Sequence, residues 1–310
     1  ENGLRRPGSR VERRCGNPLS RTRFPGHAHF QTFPEIDPGC SLIGPGDPPP
    51  WMSYNDHGST PVLLVADHAS PYFPAALNQL GLADWVLERH VAWDIGVDEL
   101  VRALADELDA QAVLAGFSRL IVDPNRQPDD PGAIPEISDG IAIPGNIGLT
   151  DADKALRIRS FFKPYHDAIS ERLEAFEARG ITPALIAVHT CTPEFDRIIR
   201  PWHIGIMWDK DPRIPLQVWR HFQASGDVCV GDNEPYSGRH PHDFTIDFHA
   251  EPHRLPHIGL EVRQDLVADR AGARRWAGIL AGALRGALQD ENLYCPLPDG
   301  AESPLVLTPR

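Results

Sequence analysis

The sequence predicts an α/β fold in which a mainly parallel or mixed sheet is sandwiched by helices. Short continuous apolar runs recur along the chain, and such runs are typical of strands that are buried on both faces. Segments with apolar residues at helical spacing alternate with these runs, which is the pattern of strand–helix–strand units. The chain has 310 residues and is 41% hydrophobic, which is enough for one large domain.

The strand-like and helix-like segments follow one another in a regular order. We expect buried strands at the apolar runs 61–66, 112–115, 120–122, 184–188, 203–208, 228–230 and 258–262. We expect helices at 96–108, 150–179, 214–222 and 267–288. Thr150 is a suitable N-cap for the helix 150–179, because its hydroxyl can accept from a free backbone N–H of the first turn. The alternation predicts a single α/β domain over residues 56–292.

The two ends of the chain differ from this pattern. Residues 1–55 contain many prolines and an arginine-rich start, and they show no strand or helix periodicity. Such a segment cannot bury enough apolar surface to offset its ordering entropy. We therefore expect a disordered or loosely ordered N-terminal extension, with a targeting segment or an artefact as alternatives. Residues 293–310 are expected to form a C-terminal tail.

Composition limits the possible partners. A net charge of −13 argues against a general binder of nucleic acid or anionic membranes, but it leaves room for a local positive pocket. No apolar run approaches the roughly 20 residues that span a bilayer. The five cysteines include no CxxC pair, so we expect neither a disulfide framework nor a zinc knuckle, and a cytoplasmic location. The oligomeric state is left open.

Polar residues collect where the predicted strands end. Asp67 and His68 follow the first apolar run, His189 follows the run 184–188, and Glu261 lies inside the last run. In open α/β sheets, ligands bind beyond the carboxyl ends of the strands. A single histidine at a strand end is more often structural, but several polar groups at one edge favour a functional site.

These residue types point to metal-dependent hydrolysis. Neutral imidazole is a common zinc ligand, and a catalytic zinc ion uses three protein ligands and leaves one position for water. A nearby glutamate can take a proton from water and pass it to a leaving amine. An arginine next to an amide can hold a substrate carboxylate. The sequence therefore predicts a hydrolase for an amide bond near a carboxylate.

The chain resembles the N-formylglutamate amidohydrolase family in several segments, among them VADHAS (65–70), HVAWDIG (90–96), FSRLIVDPNR (117–126), AVHTCTP (187–193) and TIDFHAEPHRLPHIGLEVRQDL (245–266). The matching segments span nearly all of 58–290. Two of them, DPNR and LEVRQD, also resemble segments of zinc carboxypeptidases and aspartoacylases. The resemblance implies a phosphorylase/hydrolase-like α/β fold, similar to that of zinc carboxypeptidases, and zinc-dependent hydrolysis of N-acyl amino acids.

The resemblance also implies a ligand set for one zinc ion per chain. His68 and His189 match the histidine ligands. Zinc carboxypeptidases have a glutamate three residues after the first histidine, whereas this chain has Pro71 there. The carboxylate ligand must therefore come from elsewhere, and we predict Asp94, with Asp67 as the alternative.

Most of the remaining roles follow from the same resemblance. Glu261 matches the general base, and Arg119 matches the arginine that polarises the scissile carbonyl or holds substrate. Asn125 and Arg126 match the carboxylate-binding pair and are candidates for substrate binding. Arg263, Tyr236 and His249 are further candidates that rest on their residue types and on their positions near Glu261 in the sequence, and not on the resemblance.

The predicted reaction is zinc-dependent hydrolysis of an N-acyl, nominally N-formyl, acidic amino acid such as N-formylglutamate, which releases formate and the amino acid. Another N-acyl-amino-acid deacylase, a carboxypeptidase-like hydrolase, or a non-catalytic homologue that binds anions are the alternatives. Glutamate and aspartate differ by one methylene, which is worth about 1–3 kcal/mol at best, so the sequence leaves the amino acid and the acyl group open.

Overall fold

The computed structural model describes residues 39–239 and 243–295. The expected extension up to residue 38 and the tail after residue 295 lie outside the described residues. The elements in chain order are β1 Trp51–Tyr54, β2 Val62–Ala66, α1 Asp84–Leu87, α2 Val97–Leu108, β3 Gln111–Ala115, β4 Ile137–Ser138, β5 Ile141–Ala142, α3 Asp151–Arg157, α4 Lys163–Ala178, β6 Ala184–Cys191, β7 Glu194–Phe195, β8 Ile198–Ile199, β9 Ile204–Met207, α5 Pro215–Ser225, β10 Val230–Asp232, α6 Phe244–His249, β11 His257–Arg263 and α7 Arg270–Leu288.

Seven strands form one mixed sheet in the order β1-β3-β2-β6-β11-β9-β10. The four central strands β3, β2, β6 and β11 are parallel to one another. The edge strand β1 is antiparallel to β3, and β9 is antiparallel to β11. The predicted mixed, mainly parallel sheet is confirmed, and the complete burial of its central strands explains their continuous apolar runs.

Helices cover both faces of this sheet. Side chains from α2, α5 and α7 pack with Leu64, Ile186 and Leu260 on one face. Side chains from α4 and α6 pack with Leu63 and Leu185 on the other face. Since strand residues alternate between faces, the odd-numbered residues of β2, β6 and β11 point toward α4 and α6.

One predicted strand is absent from the structure, and one segment predicted as loose is ordered. The run 120–122 is not a strand: the backbone turns at Ser118, whose carbonyl accepts from the amide of Ile121 at 3.1 Å. Its side chains are buried among aromatic rings beside the sheet, so the apolar pattern indicated burial and not extension. Residues 51–54, which we expected in the loose extension, form the edge strand β1.

Cys40, Cys191 and Cys229 are free, whereas Cys295 is disulfide-bonded. The spacing of the cysteines in the sequence does not indicate this disulfide. Among the described residues, none of the helices combines the length and apolar character that crossing a bilayer requires.

Candidate active site

The sheet register brings three polar side chains to one level. Glu261 of β11 is the direct neighbour of His189 in β6. Val65 of β2 is level with Ala187 of β6, so Asp67, two residues further on, is level with His189. Neighbouring residues of parallel strands point to the same face. All three polar groups therefore lie buried on the α4–α6 face, at the carboxyl ends of three adjacent strands.

Asp94 and His68 join this group from the loops that follow β2. The amide of Asp94 donates to the carbonyl of His68 at 2.9 Å, which holds the segment before α2 against the end of β2. Oδ2 of Asp94 lies 3.5 Å from Nδ1 of His68 and 3.1 Å from Nδ1 of His189. One donor atom from each of the three residues lies within 4.8 Å of the other two. We call His68, Asp94 and His189 the His–Asp–His cluster.

The geometry of the His–Asp–His cluster suits a zinc ion. Ligand atoms at about 2.0–2.1 Å from a tetrahedral zinc are separated by roughly 3.3–3.4 Å, and the two Asp94 distances of 3.1 and 3.5 Å lie on either side of that value. Nδ1 of His68 is buried without a hydrogen-bond partner among the described residues. Buried polar atoms are rarely left unpaired, so this nitrogen is placed to ligate a cation.

A second carboxylate faces the far nitrogen of each imidazole. Nε2 of His68 lies 2.7 Å from Oδ1 of Asp123, and Nε2 of His189 lies 3.3 Å from Oδ2 of Asp67. The His189 contact lacks hydrogen-bond geometry, so it is an ion-pair approach and not a formed hydrogen bond. Carboxylates in this position fix the orientation and tautomer of a metal-ligating histidine.

These surroundings favour positive charge at the two imidazoles, because they raise the pKa of both. Burial lowers the pKa of His189, but Asp67 and Asp94 outweigh burial and hold the pKa well above its usual value. Burial and the charge of Arg119 lower the pKa of His68, but Asp123 and Asp94 again raise it overall. The same carboxylates that favour a protonated imidazole also favour one that ligates a cation.

Glu261 lies beside the His–Asp–His cluster in an apolar strand. Burial raises its pKa above the usual value, and the charge of Asp94 adds to this rise although His189 opposes it. Gly205 of β9 is its neighbour on the other side. A Cβ atom at Gly205 would collide with the Glu234 carbonyl oxygen and lie 3.2 Å from the Glu261 Cβ. The glycine thus allows the chain to pass close to the buried carboxylate.

The other predicted residues lie at different distances from this centre. Arg119 is part of it, because its Nη2 lies 2.6 Å from Asp123 and its Nη1 lies 3.7 Å from Asp94. Asn125 accepts a hydrogen bond at its Oδ1 from a backbone amide at the start of α6. The side chain of Arg126 is 46% exposed and lies 3.8 Å from Oδ2 of Asp123. Their roles in binding substrate stay predictions.

Three further candidates lie outside the His–Asp–His cluster. Arg263 pairs with Asp265 at the end of β11. Tyr236 is 46% exposed, and its hydroxyl accepts from Arg200 at 2.9 Å. His249 is buried, and its only described side-chain hydrogen bond is to His166. The structure does not bring Arg263 or His249 into contact with the cluster.

Sequence reasoning missed several groups that surround the cluster. Oδ1 of Asp67 accepts from Tyr165 of α4 at 2.8 Å and from Thr245 of α6 at 2.7 Å. Asp123, which we noted only as part of the DPNR segment, pairs with both His68 and Arg119. Its position directly after a buried apolar run was an available signal, whereas nothing in the local sequence marks the two hydroxyls.

Cys191 carries no sign of a nucleophile. It is the last residue of β6 and is buried. Burial raises the pKa of its thiol well above the usual range, and the charge of Glu261 adds to the rise. A cysteine nucleophile requires the thiolate, so this thiol does not compete with the His–Asp–His cluster as the reactive centre.

His166 and His249 form a buried neutral pair between α4 and α6. Nε2 of His166 lies 2.9 Å from the Pro124 carbonyl, and Nδ1 lies 2.9 Å from Nε2 of His249. A carbonyl only accepts, so His166 donates from Nε2 and accepts from His249 at Nδ1. Burial lowers the pKa of His166 to about 4, and burial together with His166 lowers that of His249 well below its usual value.

This pair should make the protein less stable in acid. The unfolded chain protonates each imidazole near pH 6.5, before the folded chain does, so the free energy of unfolding decreases as the pH falls below that value. Between pH 7 and pH 5 wild type should lose about 2 kcal/mol relative to His166→Gln. Urea denaturation at the two pH values measures this difference. The exposed control His57→Gln should lose as much stability as wild type between the two pH values. If His166→Gln also loses as much as wild type, the prediction is contradicted.

The mixed sheet and the buried centre of two histidines and carboxylates at its strand ends define an α/β protein with a candidate metal site. The model of the N-formylglutamate amidohydrolase family matches residues 60–268. The chain belongs to this family.

Two solved structures illustrate the similarity. The gene product Atu2144 from Agrobacterium tumefaciens is 31% identical, with 80% of this chain and 98% of that chain covered at a TM-score of 0.77. N-formylglutamate amidohydrolase from Ralstonia eutropha JMP134 is 19% identical, with 76% and 98% covered at a TM-score of 0.54, and is similar in fold. No curated protein matches the chain.

Proposed function

We propose that the protein hydrolyses the amide bond of an N-acyl acidic amino acid, nominally N-formylglutamate, in a zinc-dependent reaction. The observation that carries this proposal is the convergence of His68, Asp94 and His189 within 4.8 Å of one another, beside the buried Glu261. Membership in the N-formylglutamate amidohydrolase family supports the formyl group and the glutamate. A small molecule in the cytoplasm is the corresponding substrate.

The His–Asp–His cluster would hold one zinc ion per chain, with Asp123 and Asp67 orienting the two imidazoles from behind. Bound zinc supplies a Lewis acid for the acyl oxygen and makes water a stronger acid. Asp94 is the better candidate for the carboxylate ligand, because its Oδ2 faces Nδ1 of both histidines. Asp67 faces only the far nitrogen of His189.

Glu261 would move the proton. It accepts a proton from the attacking water and delivers it to the nitrogen of the leaving amino acid, so that the carboxylate is regenerated in each turnover. A buried carboxylate with a raised pKa holds this proton long enough for the transfer. Arg119 would polarise the scissile carbonyl, while Asn125 and Arg126 would bind the α-carboxylate.

A panel of N-acyl amino acids tests this proposal. We expect zinc-loaded protein to release formate from N-formylglutamate faster than from N-formylaspartate, and to act on N-acetylglutamate more slowly. Chelation should remove the activity and added zinc should restore it, with formate measured through formate dehydrogenase. A zinc-loaded protein that acts on none of these substrates contradicts the proposal and favours a non-catalytic anion-binding homologue.

A further inference from the structure

Arg200 is a buried cation that has no carboxylate partner among the residues that the structure describes. Only 7% of its surface is exposed. Its guanidinium lies between two aromatic rings, 5.1 Å from the centre of Phe195 and 4.8 Å from that of Tyr236. It donates to the Tyr236 hydroxyl at 2.9 Å and to the hydroxyl and carbonyl of Thr192 at 3.3 and 3.4 Å. Within the described part of the chain, no carboxylate lies within 4.0 Å of it.

Two other arginines that are fully or largely enclosed, Arg157 and Arg213, are neutralised or saturated. Arg213 makes a two-point ion pair with Asp211. Arg157 donates to two backbone carbonyls and to one side-chain amide oxygen, so its N–H donors are satisfied by neutral acceptors. Arg200 also has only neutral hydrogen-bond partners within the described ranges, but its two hydrogen bonds to Thr192 are long. Burying a charge without a counter-charge is costly. A bound anion would supply the counter-charge that this guanidinium lacks among the described residues.

The backbone places Arg200 at the same strand ends as the proposed reaction centre. The carbonyl of Arg200 accepts from the side chain of Arg263, which ends β11, at 3.2 Å. Thr192 directly follows β6, the strand that contributes His189. Arg200 therefore lies just beyond the ends of the two strands that supply His189 and Glu261.

Tyr236 connects Arg200 to the centre. Its hydroxyl is bonded to Arg200. The side chain is only partly enclosed, but this partial burial and then the charge of Glu261 raise its pKa. Burial lowers the pKa of Arg119, whereas the charges of Asp123 and Asp94 raise it, and the charge of Tyr236 adds a smaller rise. Tyr236 is therefore near both arginines, and among the described residues carboxylates pair with Arg119 and not with Arg200.

We propose that Arg200, together with the Tyr236 hydroxyl, binds the side-chain carboxylate of the N-acyl amino acid and thereby selects substrates with a second negative charge. This inference rests on the proposed function. A guanidinium offers paired N–H donors that match the two oxygens of a carboxylate. The tyrosine, which now accepts from Arg200, has its own O–H free to donate to the same anion. A neutral side chain of equal size would leave the arginine uncompensated.

The comparison of two isosteric substrates tests this inference. N-formylglutamate and N-formylglutamine differ in the charge of one group. Charged hydrogen bonds are worth enough to favour the former by about 10- to 150-fold in kcat/KM. We expect this ratio in wild type, a ratio near one in Arg200→Met, and an intermediate ratio in Arg200→Lys, which keeps the charge without the fork. The exposed Arg220→Met is the matched control and should keep the wild-type ratio.

Calorimetric binding of glutamate and glutamine separates this inference from the proposed function. Suppose that wild type hydrolyses neither substrate and still binds glutamate more tightly than glutamine. If Arg200→Met then loses that difference in affinity, the anion site stands and the proposed function fails. If wild type hydrolyses N-formylglutamate and Arg200→Met keeps the ratio, the assignment of Arg200 is wrong while the function stands. An equal loss on both substrates also contradicts the assignment. Should Arg200→Met not fold, Arg200→Lys and Tyr236→Phe give the same test, and an unchanged ratio in both overturns it.

Discussion

Glu261→Gln is expected to reduce kcat by on the order of 10²–10⁴-fold. Glutamine has nearly the same shape as glutamate, so the packing of β11 against Gly205 and His189 is retained. The amide cannot accept the proton of the attacking water or return it to the leaving nitrogen. Formate release from N-formylglutamate by zinc-loaded protein measures the effect.

Two measurements show whether this loss comes from proton transfer. The zinc content and the affinity for glutamate should stay close to those of wild type, because Glu261 is not in the ligand set. Glu171→Gln changes an exposed carboxylate on α4 in the same way and should leave kcat unaltered. Full turnover in Glu261→Gln would show that another group moves the proton.

His189→Ala should remove both the zinc ion and the activity. The substitution deletes one of three ligands and leaves Asp67 and Asp94 without the imidazole that separates them. Two remaining ligands do not hold a zinc ion in the way that a three-ligand catalytic site does. We expect about one zinc ion per chain in wild type, little or none in the variant, and no measurable formate release.

The control for this experiment is His57→Ala, which removes an exposed histidine. It should keep both the zinc ion and the activity. His68→Ala should behave like His189→Ala, because its Nδ1 faces the same carboxylate oxygen. A His189→Ala protein that retains stoichiometric zinc would place the metal elsewhere and would contradict the ligand set as a whole.

The centre of the sheet could be predicted because its signal is local. The apolar runs of β2, β6 and β11 report burial on both faces, and parallel strands end at a common edge. That rule predicts that His68, His189 and Glu261 lie together at one edge. The relationship of Asp94 to the two histidines needed the resemblance to a family, since it comes from a loop that no periodicity describes.

Other features depend on contacts between distant segments. The run 120–122 is as apolar as a strand, but it packs with the rings of Phe161 and Phe162, in the π-helical turn Ile158–Phe162, and of Phe244 in α6. The local sequence does not encode these contacts. Arg200 stands in a stretch of mixed polarity between two short strands, and only the folded chain reveals that it is enclosed with no counter-charge from the described residues. Asp123 is similar, since its partner His68 is 55 residues away.

The hydroxyls of Tyr165 and Thr245 have a consequence for how the protein matures. Both hold Asp67, and they come from different helices on one side of the sheet. The orientation of His189 therefore depends on those helices having docked, and a chain with that layer undocked would capture zinc poorly. Zinc binding should in turn stabilise the docked state of α4 and α6, because metal binding and folding are thermodynamically coupled.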